Sequence, residues 1–266
     1  MEGYDETTYG EAFADVYDEW YESVSDVDAT VATLARLARL AARAGAPARI
    51  LELGVGTGRL AVPLARNHRD DVHVVGVDTS PAMLERLRHR DPDGVVHAIE
   101  ADMVAGLPDG PFELVFIAYN TLFNLTADGD QEACFRAVSE RLRDGGRFVV
   151  EAFVPDPPRD GDDISVRSMA ADRIVLSITR QSASRPVVEG HFVELTERHG
   201  VRLRPWSIRS STPEQLDAMA GAAGFALEGR WQDMSGTPFT TDSDRHVSVY
   251  RRSVAHPPHD RDASIV

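Results

Sequence analysis

Apolar residues recur along this chain in two alternating rhythms. Residues 11–22 (EAFADVYDEWYE) and 28–44 have helical spacing, the second through Val31, Leu34, Leu37, Leu40 and Ala41, until Gly45 and Pro47 end it. From residue 48 short apolar runs alternate with amphipathic ones. ARILELG, VHVVGVD, VVHAIEAD, FELVFIAYN and RFVVEAFVP are strands, and TGRLAVPLARN, SPAMLERLRHR and QEACFRAVSERLRD are the helices between them, the last stopped by Gly145 and Gly146. Such alternation predicts an α/β fold, a doubly wound and mostly parallel sheet covered by helices on both faces.

After the fifth strand the rhythm changes to period two. ISVRSMA, RIVLSITRQ, VVEGHFVELT and VRLRPWSIR, joined by short polar turns, predict an antiparallel insertion over residues 161–206. Thr212, Pro213 and Gln215 form a capping signature that opens a helix over Pro213–Ala223, and FALEGRW and HVSVYRR close a seven-stranded sheet. The expected divisions are an N-terminal helical arm (1–46), a main domain (47–160 and 207–252), the insertion (161–206) and a disordered tail (253–266).

Composition narrows the chemistry. The 266 residues include no lysine, so all 28 basic residues are arginine, which excludes Schiff-base and lysine-base catalysis and the P-loop lysine. The net charge is −15, and ten acids with no arginine crowd the first 28 residues. Neither the total nor the arm offers the basic face that a nucleic-acid backbone requires. Cys134 is the one cysteine, so no disulfide framework or thiolate metal cluster is expected, and its place in a helix suggests core packing. No run approaches a membrane span and the first residues do not read as a signal sequence, which leads to an expectation of a cytoplasmic protein without a metal. Self-association is left open as a homo-oligomer.

The sharpest motif is ILELGVGTGRL. Gly54, Gly56 and Gly58 sit where the first strand turns into a helix, a place where backbone can approach a ligand without an intervening side chain. The third glycine comes one residue too early for a dinucleotide fingerprint, since Arg59 holds that position. Asp78 ends the second strand, where an acid can accept hydrogen bonds from both ribose hydroxyls, and Asp102 ends the third.

Glu-x-Gly-x-Gly-x-Gly after the first strand, an acid ending the second and Asp-Met after the third resemble the S-adenosylmethionine site of class I methyltransferases, closely over residues 48–153 and more loosely over the closing strands. The resemblance implies that Gly54, Gly56 and Gly58 flank the methionine part, that Asp78 binds the ribose, and that Asp102 and Met103 hold the adenine. Glu52 would order the glycine turn, with Tyr119 and Asn120 beside the methyl group. Cofactor activation then leaves the protein to align and desolvate the nucleophile, with no metal required.

Absent motifs narrow the acceptor. The Asp/Asn-Pro-Pro-aromatic sequence of base and amide methylating enzymes is replaced by Tyr119-Asn120-Thr121-Leu122-Phe123, and the fourth strand end lacks the carboxylates of magnesium-dependent catechol enzymes. Tyr4, Tyr9, Tyr17, Trp20 and Tyr21 stand among the arm's acids, an arrangement similar to the lids of actinobacterial natural-product methyltransferases. The insertion resembles the acceptor side of sugar N-methyltransferases, and Tyr9 with Tyr17 resembles the lincosamide N-methyltransferases. The expected acceptor is therefore a small-molecule amine of a natural-product or antibiotic intermediate, drawn in by the acidic arm. Tyr9 and Tyr17 are the expected catalytic pair, with Tyr21, Asn120, Phe123 and Trp231 around the acceptor. An O-methyltransferase using His191, His199 or His246 as base is the first alternative, and a cofactor-binding module without catalysis the second.

Overall fold

The computed structural model describes residues 1–22, 24–43 and 45–253, so the expected disordered tail lies outside the described residues apart from Ser253. The main sheet has seven strands: β1 (Ala48–Leu53), β2 (Val72–Asp78), β3 (Val96–Glu100), β4 (Phe112–Ile117), β5 (Leu142–Phe153), β10 (Phe225–Trp231) and β11 (Arg245–Arg252). Their spatial order is β10-β11-β5-β4-β1-β2-β3, and β11 alone runs against the others. The near-continuous apolar runs of the central strands follow from burial on both faces. Ile50, Leu114 and Phe116 enter one core with α3 (Val27–Ala41), α4 (Ala61–Asn67) and α5 (Pro81–Arg90), while Leu51, Leu53, Val115 and Ile117 enter the other with α6 (Asp130–Arg141) and α7 (Pro213–Ala222).

Chain order reverses between β1 and β4. The carboxyl ends of these two strands splay their connections to opposite sides and leave a crevice, the place where open α/β sheets bind ligands. Local signals set the helices around it. Ser80 caps α5 by accepting from the Met83 amide at 3.2 Å with Pro81 at its first turn, and Thr212 and Gln215 complete a reciprocal capping box on α7. The first crossover helix starts four residues later than its sequence suggests, at Ala61, because Gly58 holds a left-handed φ of 74°.

A separate four-stranded antiparallel sheet follows β5: β6 (Gly161–Met169), β7 (Arg173–Ser182), β8 (Arg185–Thr196) and β9 (Gly200–Arg209). Phe192, Arg204 and Trp206 alternate onto the face turned to the N-terminal arm, whereas Ile164, Val166, Met169, Val201 and Leu203 stand on exposed positions. The arm's single expected helix over 11–22 is two short ones, α1 (Thr8–Phe13) and α2 (Tyr17–Tyr21). The break has a packing cause: Phe13, Ala14 and Val16 turn into a small core with Met83, and Asp15 turns outward to Arg202 and Arg204.

Candidate active site

The glycine turn begins where β1 ends. Gly54, Gly56 and Gly58 have φ of 68°, 54° and 74°, a region that favours glycine. A Cβ on Gly54 would lie 2.4 Å from Thr121 Cγ2, and one on Gly58 would lie 2.9 Å from Leu87 Cγ and Val62 Cγ2. On Gly56 it would meet nothing nearer than the Gly54 carbonyl oxygen at 4.0 Å. Two glycines thus permit close packing and the third leaves room. Asp78 ties the turn to β2, its carboxylate accepting from the amides of Gly56 at 2.8 Å and Ser80 at 2.9 Å. Burial raises the Asp78 pKa against those donors. Beneath the turn Glu52 is 4% exposed, and its Oε2 has no hydrogen-bond partner among the described residues. Burial pushes the Glu52 carboxyl well above the usual carboxylate range, with Arg59 opposing.

Two cavities meet at this crevice. The first lies over Gly54, Gly56 and Asp78, with Met103 on one wall and Tyr4, Tyr9 and Tyr17 of the arm as its cover. The second lies between the arm and the antiparallel sheet. Tyr9, Tyr17, Tyr21 and Tyr119 wall one side of it, and Phe192 and Trp206 the other. Tyr9, Tyr17, Thr121 and Asn124 line both. The tyrosines form one group: the Tyr9 and Tyr21 hydroxyls are 3.1 Å apart, and the Tyr21 ring centre lies 4.8 Å from that of Tyr17 and 5.2 Å from that of Tyr119. Burial raises the pKa of Tyr9 and Tyr17 well above 10 and pushes Tyr119 to about 12, so all three are neutral phenols at physiological pH.

The tip of β4 is strained. Tyr119 and Asn120 have φ of 45° and 63°, uncommon for residues other than glycine. Three hydrogen bonds hold them: Tyr119 N to Glu151 Oε2 (3.1 Å), Asn120 N to the Glu151 carbonyl (3.0 Å) and Phe153 N to Asn120 Oδ1 (2.7 Å). The corner turns Tyr119 and Asn120 into the second cavity.

Comparison with known proteins decides the family. A family model described as a methyltransferase domain matches residues 50–146. A demethylmenaquinone methyltransferase of Thermus thermophilus is 33% identical over 186 residues, 68% of this chain and 76% of the relative. The chain belongs to the S-adenosylmethionine-dependent methyltransferases. The crystallised methyltransferase CcbJ of Streptomyces caelestis shares 35% identity with a TM-score of 0.83, covering 94% of this chain and all of CcbJ. CalS10 of Micromonospora echinaspora, an amino pentose methyltransferase involved in calicheamicin biosynthesis, shares 25% identity with a TM-score of 0.66 over 90% and 97% of the two chains. The methyltransferase fold, with its parallel sheet and appended antiparallel sheet, therefore extends well beyond the matched domain.

Within the methyltransferase, several residues singled out from sequence stand elsewhere than expected. Asp102 closes the turn after β3, its Oδ1 accepting from the amides of Val104 (2.9 Å) and Ala105 (2.6 Å), and its neighbours Ala101 and Met103 line the first cavity instead. Gly58 packs on Leu87 rather than on the cavity. Tyr119, expected at the cofactor, walls the second cavity. Phe123 is fully buried, set edge-on to Phe153 at 5.1 Å, and supports that wall residue from behind. Trp231 lines neither cavity; it packs against the core that contains Met234 and Val247, the latter its cross-strand partner. His191, His199 and His246 also line neither. His246 is buried with Nδ1 2.9 Å from Ser248 Oγ, and burial lowers its pKa to about 4. Cys134 is buried in α6 and its thiol is pushed up to about 12. Sequence reading missed Arg167, Phe192 and Trp206; the signal available was their period-two placement on the inner face of the insertion.

The arm's acids hold it in place. Glu11 accepts from the Ser80 hydroxyl and the Ala82 amide at 3.1 and 3.2 Å, and Asp18 accepts from the Thr57 hydroxyl at 2.6 Å and pairs with Arg90 at 2.7 Å. On the other side Asp15 pairs with Arg202 and Arg204, both at 2.6 Å, and Glu19 with Arg173. These acids join the two sheets through the arm instead of facing the second cavity, whose described lining contains no carboxylate. Among the described residues no cluster of potential metal ligands occurs, and no helix is long and apolar enough to cross a membrane.

Proposed function

We propose that this methyltransferase transfers a methyl group to the nitrogen of a small-molecule amine, with the second cavity as its acceptor site. The observation that carries the reading is the lining of that cavity: among the described residues it holds four tyrosines and no histidine or carboxylate to serve as a general base. A hydroxyl acceptor needs a base, because the neutral hydroxyl is a far poorer nucleophile than its oxyanion, whereas a neutral amine brings its own lone pair. The kinship with an amino pentose methyltransferase and the resemblance to lincosamide N-methyltransferases support a natural-product amine.

The residues of the first cavity fit the cofactor. The space above Gly56 admits a ligand against the backbone, Asp78 stands where ribose hydroxyls would donate, and Met103 offers an apolar face to a base. Glu52 Oε2, buried beneath the glycine turn, is left without a partner among the described residues. S-adenosylmethionine supplies a sulfonium-activated methyl group. The chain's own work is to orient the acceptor. The neutral phenol oxygens of Tyr9 and Tyr17, present in both cavities, accept an N–H of the amine and so turn its lone pair toward the first cavity. The faces of Tyr21 and Tyr119 stabilise the positive charge that develops on nitrogen.

Incubation with S-adenosylmethionine and a panel of demethyl amines, with matched phenols and alcohols, tests this by mass spectrometry. Gain of one methyl on amines alone is expected. Methylation confined to hydroxyls overturns the nitrogen reading, and cofactor binding with no transfer to any class of acceptor overturns the enzymatic one.

A further inference from the structure

Among the described residues the lining of the second cavity holds one charged side chain, Arg167, and its sign is positive. β6 is an outer strand of the antiparallel sheet, and its register with β7 slips between Val166 and Ser168, which leaves Arg167 as an extra residue without a cross-strand partner. Ser165 pairs with Ser177 and Ser177 with Phe192, so Arg167, two residues beyond Ser165, falls on the face that carries Phe192. The Arg167 guanidinium carbon consequently lies 4.7 Å from the ring centre of Phe192, 5.1 Å from Trp20 and 5.5 Å from Tyr21, on the wall of the cavity.

Its sheet neighbours differ from it in one respect. Arg173, Arg202 and Arg204 each pair with a carboxylate of the arm or of β8, while Arg167 makes no ion pair or hydrogen bond among the described residues. Arg167 is exposed, so its guanidinium is open to a ligand arriving from solvent; Trp206 lines the same cavity, and its buried indole Nε1 has no acceptor among the described residues. With no acid on the described lining, the site repels a protonated amine and attracts an anion. The guanidinium fork matches a planar carboxylate, and the aromatic platform beneath holds the fork in place.

We propose that Arg167 is a specificity-determining residue that binds a carboxylate on the acceptor, so that the substrate class is an amine bearing an acid group. This rests on the second cavity being the acceptor site of the N-methyltransferase proposed above. The amine and the acid then occupy neighbouring parts of one cavity, nitrogen at Tyr9 and Tyr17, carboxylate at Arg167, with Tyr21 between them. The positive charge also favours the neutral, nucleophilic form of the nitrogen.

Calorimetric titration of the full chain, saturated with S-adenosylhomocysteine, with benzoate, benzamide and benzylammonium tests the site without knowledge of the acceptor. Benzoate is expected to bind better than the other two, and to lose about tenfold in affinity in Arg167→Gln with partial recovery in Arg167→Lys, while benzamide is unaffected. Unchanged S-adenosylhomocysteine affinity in both variants shows that they are folded. Equal benzoate affinity in wild type and Arg167→Gln overturns the proposal, as does preference for benzylammonium or no benzoate binding at millimolar concentration. Failure of every amine in the methylation panel would remove the nitrogen reading and leave this binding result standing, so the two fail separately.

Discussion

Gly54 and Gly56 share a backbone conformation and differ in what a methyl group would strike. At Gly54 an alanine meets the Thr121 methyl at 2.4 Å as well as the cost of φ 68°, so Gly54→Ala should destabilise the fold by about 2 kcal/mol in urea melts. Gly56→Ala carries the backbone cost alone, and its larger effect should be on S-adenosylhomocysteine affinity, read by calorimetry, because the new methyl enters the first cavity. Tyr9→Phe and Tyr17→Phe should each lower turnover on an accepted amine by about 10²-fold through misorientation of the nitrogen. Because burial holds both hydroxyls protonated, the rate should show no tyrosine ionisation as pH rises to 9, and the acid limb should follow the acceptor amine. The glycine turn was legible because its spacing, its strand and its partner acid lie within a few dozen residues. Trp231 was misread because an aromatic residue on a closing strand gives no sign of which side of the sheet it takes.

At the scale of elements the arm acts as a bracket between two sheets. Arg204 is its keystone: 1% exposed, it pairs with Asp15 of the arm at 2.6 Å and with Glu194 of β8 at 2.7 Å. Although burial works against its charge, those two carboxylates raise its pKa. Arg204→Met leaves Glu194 only the longer pairing with Arg173 at 3.8 Å and should cost about 3 kcal/mol, with faster proteolysis of the first 22 residues as the local readout. The sequence displayed the arm's acids plainly and concealed their use. An acid that attracts a ligand and one that pairs with an arginine some 190 positions later look identical until the sheets are placed. The β6 bulge is similarly invisible, since one extra residue in an alternating run changes register without changing composition. The fold itself was legible because both rhythms, strand with helix and strand with strand, persist over many residues.

For the whole molecule, acid sensitivity has an identifiable source in the sheet's closing strand. His246 on β11 is fully buried, and burial lowers its pKa from 6.5 to about 4. The unfolded chain takes up that proton below pH 6.5 and the folded one does not until about pH 4. Stability supplied by the neutral ring is therefore complete above 6.5 and lost between the two values, by about 3 kcal/mol in all. Urea midpoints measured from pH 7 to 4 should fall accordingly, and His246→Asn should lack this component of the slope. The two cavities impose a further economy on the molecule. Since Tyr9 and Tyr17 stand in the walls of both, the arm cannot lift from one without opening the other. On the proposed assignment of the second cavity, cofactor and acceptor meet the same two side chains, so a change at Tyr9 or Tyr17 is felt on both sides of the transfer.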